Sequence, residues 1–339
     1  MRLFIIALST CALGACAGGA SELPDVTAAV ETAAVASSGD AADDPAIWIN
    51  SDNPAESLII GTDKQAGLYS YALTGEVRQF LPAGAVNNVD LRQDVTIGDW
   101  RGDIIGASNR TDDTISLFVM DASEIVQTGS IKSALAEPYG FCLGIVSDEI
   151  YAFVAHKTGD LIAYRLEGPE GGAPTARLKL ETQLEGCVHD DEAGILFVGE
   201  EARGVWKTTL RSGDFSAPVL VDEVGGASGI VADVEGLSIY KHANSEGYLV
   251  ASSQGDNSFA VYDRTPPHAF RGRFAVVNGD EIDGAEETDG IETMSAPLGR
   301  RFPNGLLVVQ DGLNKPRGNL QNFKLIDWRE VEAALGLRD

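Results

Sequence analysis

One pattern recurs six times along this chain, and that repetition limits the possible folds more than any other feature. A short apolar strand returns at 58–60, 103–105, 151–154, 195–198, 248–250 and 306–309. The starts of these strands lie 44 to 58 residues apart. A second strand follows each copy, at 68–71, 114–118, 161–164, 204–206, 259–262 and 321–325. Another precedes each, at 46–48, 89–91, 139–141, 185–187, 235–237 and 289–291. Three or four strands in a repeat of about 40–50 residues mark one blade of a propeller. The fold expected is all-β, a six-bladed β-propeller. Helical periodicity survives only at 327–337, which predicts one short terminal helix. The stretch 26–35 is expected to add a strand to the last blade and close the ring.

Strands within a blade alternate in direction, so the start of the first strand and the end of the next share one rim. First-strand starts place Asp43, Asp44, Tyr139, Glu185, Asp233, Glu235 and Asp289 on that rim. Second-strand ends place Asp63-Lys64, Asn109-Arg110, His156-Lys157, Glu200-Glu201, Asp256 and Gln310-Asp311 there. The cations Lys64, Arg110 and Lys157 fall in blades one to three, and the carboxylates dominate blades four, five, six and one. Taken singly, an Asp at a strand start is a turn residue and a Lys is a solvated side chain. The shared register across repeats points to a site instead. Clustered carboxylates repel unless cations fill them, and all-oxygen clusters suit calcium. A neighbouring Lys/Arg/Lys wall suits phosphate oxygens.

The charge balance fits this reading. The chain has 25 Lys+Arg against 51 Asp+Glu, a formal charge of -26. Such an excess argues against nucleic acid and anionic membrane surfaces as partners. The N-terminus adds an address. Arg2 precedes an apolar run too short to span a bilayer, which has the form of a signal peptide. Leu13-Gly14-Ala15-Cys16 resembles a bacterial lipobox, with Cys16 as the lipidated residue. The organisation expected is a signal peptide at 1–16, a tether at 17–30 and a propeller at 31–339. Membrane contact is expected only through that lipid, at the outer membrane, with a periplasmic or secreted form as the alternative. Cys11 leaves with the signal. Cys142 and Cys187 sit at corresponding positions of consecutive repeats and are either a disulfide or two buried thiols. No CxxC or HxxxH spacing suggests zinc.

The motifs GDAADDPAIW (39–48), ASNR (107–110), YGF (139–141), VGEE (198–201), TDGI (288–291), QDG (310–312) and QNFK (321–324) stand in order along the chain. Over about 31–328 the sequence resembles the β-propeller phytases. The resemblance implies a six-bladed, calcium-dependent enzyme acting on inositol hexakisphosphate, and a monomer is expected. It implies that Glu31, Asp43, Asp44, Tyr139, Glu185, Glu201, Asp233, Glu235 and Asp289 surround catalytic calcium ions. Glu185, Glu201, Asp233, Glu235 and Tyr139 are the catalytic set. Lys64, Arg110 and Lys157 would bind phosphate. Asp283 and Asp311, with neighbours near Asn314, would belong to structural calcium. The chain departs from the family pattern at Gln65, where a second lysine is common. His189 replaces a small residue and is given no role.

These residues suggest hydrolysis by metal-activated water without a phosphoenzyme. No RHG context or C-x5-R loop supplies a nucleophile. Two rivals remain. A calcium-dependent six-bladed lactonase needs a channel metal but no wall of three cations. A surface lipoprotein binding calcium or phosphorylated ligands without turnover would use the same fold, which does not decide function.

Overall fold

The computed structural model describes residues 23–315, 318 and 320–337. Six antiparallel sheets stand around a central channel, one for each sequence repeat. Their innermost strands are Ala42–Trp48, Val86–Ile97, Phe141–Val146, Leu184–Asp190, Val234–Lys241 and Ile291–Met294. Residues from all six line one narrow cavity in the channel.

The apolar runs follow from this arrangement. Successive side chains of a strand point to opposite faces. In Leu58–Asp63, Leu58 and Ile60 enter a core shared with blade two, while Ile59 enters a core shared with blade six. Both faces of every blade are covered, so the strand reads as continuous apolar sequence rather than as alternation. The molecule has six such cores, each between two neighbouring blades.

The ring closes through the N-terminal segment, which divides between two blades. Val30–Glu31 pairs antiparallel with Asn322–Asp327, in the register Val30↔Leu325 and Glu31↔Lys324, and completes blade six. Asp25–Thr27 runs parallel to Phe270–Val277 as a fifth strand of blade five. Residues 25–30 are therefore part of the propeller and not of the tether expected over 17–30. The reason is apolar burial: Val26 and Val30 each enter an inter-blade core. The rest of that tether, with Cys16, lies outside the described residues.

The terminal helix spans Trp328–Leu335. It starts after Asp327 because that side chain accepts the Arg329 N–H as an N-cap. It stops at Gly336, which takes the left-handed conformation, φ 61°. Trp328 stacks on Tyr240 with ring centroids 3.9 Å apart and seals the core between blades five and six. A disulfide joins Cys142 and Cys187, with Cα atoms 5.7 Å apart, and ties the innermost strands of blades three and four.

Four glycines set the spacing at the rim. A Cβ on Gly140 would overlap the carbonyl oxygen of Glu185, and one on Gly186 that of Glu235. A Cβ on Gly236 would lie 2.7 Å from the carbonyl oxygen of Asp289, and one on Gly290 2.7 Å from that of Asp43. Each glycine thus admits an acidic residue of the next blade. The Gly236 N–H also donates to Asp289 at 2.8 Å, and the Gly290 N–H to Asp43 at 3.0 Å. Gly236→Ala is expected to cost about 2 kcal/mol or more, because the added methyl has nowhere to go. Chemical denaturation measures this, and an unchanged midpoint would contradict the close packing.

Candidate metal and phosphate site

The paired residues at the second-strand ends divide their work. Asp63, Asn109 and Glu200 turn into their own blades. Asp63 accepts the backbone N–H groups of Ser37 and Gln65. Asn109 bonds Ala83, Ser116 and Thr111. Glu200 takes the Thr182 N–H at 2.6 Å and the Trp206 indole N–H at 2.8 Å. The next residue in each pair is Lys64, Arg110 or Glu201. Each is held by a backbone bond to the residue just before the neighbouring innermost strand: Ala41 at 2.7 Å, Ala85 at 2.8 Å and Gln183 at 3.1 Å. One residue of each pair therefore staples the blade, and its neighbour is free for the rim.

These rim residues surround a cavity of about 750 Å³. Its lining includes Lys64, Tyr139, Glu185, Glu201, Asp233, Glu235 and Asp289. One carboxylate oxygen from each of Glu185, Glu201 and Glu235 lies within 4.8 Å of the others. Glu185 Oε1, Glu201 Oε1 and Glu235 Oε2 are buried without a hydrogen-bond partner. Buried carboxylate oxygens without partners are costly, and a cation between them removes the cost. The three residues fit a divalent ion. The Lys157 ammonium sits 4.2 Å from the Tyr139 ring centroid. Arg110 donates to the Lys64 carbonyl at 3.3 Å and keeps its buried Nε without a partner.

Lys64 is the best-paired cation of the rim. Its ammonium lies 2.6 Å from Asp40, 3.0 Å from Asp289 and 3.1 Å from Asp43. Burial disfavours its charge, but Asp43 and Asp289 outweigh that and hold its pKa above the ordinary lysine value. Asp289 also accepts from the Gln254 amide at 2.6 Å.

The structure does not bring every expected ligand into this cavity. Asp44 borders the central channel, where its Oδ2 accepts the Val89 N–H at 3.0 Å. It follows Asp43 on one strand and so faces the other way. Glu31 stands apart as well. Its strand register sets it beside Lys324, whose fully buried ammonium lies 2.9 Å from Glu31, 2.6 Å from Asp283 and 3.2 Å from Asp311. Glu31 therefore joins Asp283 and Asp311 rather than the acidic cluster around Glu185. Nearby Asn314 is buried with both side-chain polar atoms unpartnered. Sequence reasoning missed Lys324, because a lysine in a strand reads as solvated. It also missed the glycines, although each follows the rim residue at its repeat. His189 donates to or accepts from Asp191 at 2.7 Å in the channel wall and stacks on Phe153.

A propeller whose rim gathers phosphate-type cations beside an ion-fitting carboxylate cluster has the parts of a metal-assisted phosphoryl hydrolase. The chain belongs to the Phytase family, whose profile matches residues 2–339. It is 39% identical over 331 residues to the 3-phytase of Bacillus subtilis (strain 168), covering 92% of this chain and 85% of that protein. Among solved structures it is similar to BBS1N in complex with ARL6DN, with a TM-score of 0.51 and 13% identity, over 83% of this chain and 77% of the other. That likeness concerns the fold alone. A functionally unknown protein from Desulfotomaculum acetoxidans DSM 771 matches with a TM-score of 0.49 and 15% identity, over 68% and 71% of the two chains.

The cavity carboxyls are strained electrostatically. Asp289 is pushed up to about 7 by burial and by Asp43, against the pull of Lys64. Glu185 is raised by burial and by Glu235, and Glu235 by burial and by Asp289. A carboxyl group whose folded pKa exceeds its unfolded value binds more protons when folded, so stability falls as pH rises. The window for Asp289 runs from the unfolded value near 4 to about 7. In chelator, the thermal midpoint should fall from about pH 5 to about pH 8, and Asp289→Asn should flatten the fall. A midpoint that rises across this window would contradict the assignment.

Proposed function

We propose that this phytase is calcium-dependent and hydrolyses phosphomonoesters of myo-inositol hexakisphosphate with water as the nucleophile. The observation that carries the reading is the buried trio Glu185, Glu201 and Glu235, with unpartnered oxygens, on the same rim as Lys64 and Arg110. Hard oxygen donors in such number suit calcium. Glu185, Glu201 and Glu235 would hold it, with Asp43, Asp233, Asp289 and Tyr139 around them. Calcium bound there would neutralise charge between the carboxylates and the phosphate and make a water more acidic.

The side chains supply the rest. Lys64, Arg110 and Lys157 orient the phosphoryl oxygens and offset charge that builds on them, by positioning set before the reaction. Arg110 brings a planar fork suited to two oxygens at once. Tyr139 gives Lys157 an aromatic face to lie on, which limits its reach. Neither Cys142 nor Cys187 is available as a nucleophile, since each is bonded to the other. Asp283 and Asp311 suit a second, structural ion with the unpartnered Asn314 amide, although Lys324 already balances charge there.

The disulfide and the N-terminal motif support export, with Cys16 as a lipid anchor. Cys16→Ala should move the protein from the membrane fraction to the soluble fraction of lysed cells. An unchanged partition removes the anchor from the proposal.

The enzymatic reading is tested by phosphate release from phytate at about pH 7.5, where Lys64 and Arg110 are charged, in calcium and in chelator. Release should require calcium. Glu201→Gln should lower kcat by about 100-fold or more, as loss of a charge-stabilising group does. Arg110→Ala should lower kcat/KM by about 10-fold or more. A folded chain that binds calcium yet releases no phosphate would be a binding protein.

A further inference from the structure

We propose that Asp40 sets the phosphate affinity of this site, as an internal carboxylate that competes with phosphate for Lys64. The inference rests on the reading of Lys64 as a phosphate-binding group. A lysine ammonium has three N–H donors and no acceptor. Three carboxylates, Asp40, Asp43 and Asp289, stand within ion-pair distance of it. A phosphate oxygen can therefore reach a donor only by displacing one of them.

The three are not equally displaceable. Asp43 is fully buried and Asp289 nearly so, and either one, released from Lys64, would become a buried charge with less compensation. Asp40 is 78% exposed, and its carboxylate passes to water at little cost. Asp43 and Asp289 also lie next to the carboxylates that suit a cation, so they have a second use for their charge. Asp40 lies outside the Glu185, Glu201 and Glu235 cluster.

Asp40 is brought to Lys64 by its backbone. The Gln65 amide donates to the carbonyls of Ser38 and Asp40, each at 3.0 Å. Asp63 accepts from Ser37 N–H at 3.2 Å on one side of the loop. Gln321 accepts the N–H groups of Ala41 and Ala42 at 2.7 and 2.8 Å on the other. Gln65 is the position where the chain departs from the family pattern. Here it supplies a strap that presents a negative group, where a lysine would supply a positive one.

The test is titration calorimetry with inorganic phosphate on the wild type, Asp40→Asn and Asp40→Glu, in calcium and in chelator. Asp40→Asn should bind phosphate about two- to fivefold more tightly, the worth of one exposed ion pair. The gap should narrow as ionic strength rises. Asp40→Glu should lie near the wild type. With phytate, Asp40→Asn should lower KM and leave kcat nearly unchanged. Calcium affinity, titrated separately, should not move. Equal or weaker phosphate binding in Asp40→Asn would overturn the proposal, and so would weakened calcium binding, which would make Asp40 a metal ligand. A wild type without phytate turnover whose Asp40→Asn variant still binds phosphate more tightly would sink the enzymatic reading and leave this one standing.

Discussion

The approach of neighbouring innermost strands at Gly140, Gly186, Gly236 and Gly290 is the constraint on which the site depends. Without a Cβ at these points, the backbone of the next blade comes within hydrogen-bond reach. Acidic residues from blades four, five, six and one then share one cavity. That proximity is unfavourable on its own, since burial and mutual repulsion raise their pKa values. Lys64 relieves part of the repulsion from within the protein. A bound cation relieves the rest. The fold holds the carboxylates together by packing, so the ion need not assemble them.

That packing comes from elsewhere in the blades. The six inter-blade cores bury both faces of each sheet and fix each blade against its neighbours. The rim then inherits its geometry from strands that are apolar along their whole length. The alternation of a strand separates stapling residues such as Asp63 and Glu200 from site residues such as Lys64 and Glu201. It also explains why Asp43 and Asp44, adjacent in sequence, serve different spaces.

Much of this was legible in the sequence because a propeller is periodic. The repeat spacing carried the fold, and its register brought Lys64, Arg110, Glu185, Glu201 and Glu235 to one rim. What escaped was set by contacts between distant segments. Glu31 pairs with Lys324 across nearly the whole chain, and no local pattern records that register. Lys324 looks like a surface lysine until Glu31, Asp283 and Asp311 are seen around it. Asp25–Thr27 is too short to read as a strand, and it pairs parallel, without a hairpin to announce it. Asp40 carries no signal of its own either. Its role depends on a loop strapped by Gln65 and Gln321, which lie on opposite sides of it in the sequence.

The closing strand has a consequence for the growing chain. Val30–Glu31 is made first, yet its partner Asn322–Asp327 comes from the last blade. An emerging polypeptide can stack its early blades while the ring stays open, with blade six lacking its outer strand. Any product that ends before residue 322 leaves that strand without a partner and the first blade without its neighbour in the ring. An open sheet edge is a template for pairing with other chains. The same two-residue strand that seals the finished disc therefore makes its completion an all-or-nothing event at the end of synthesis.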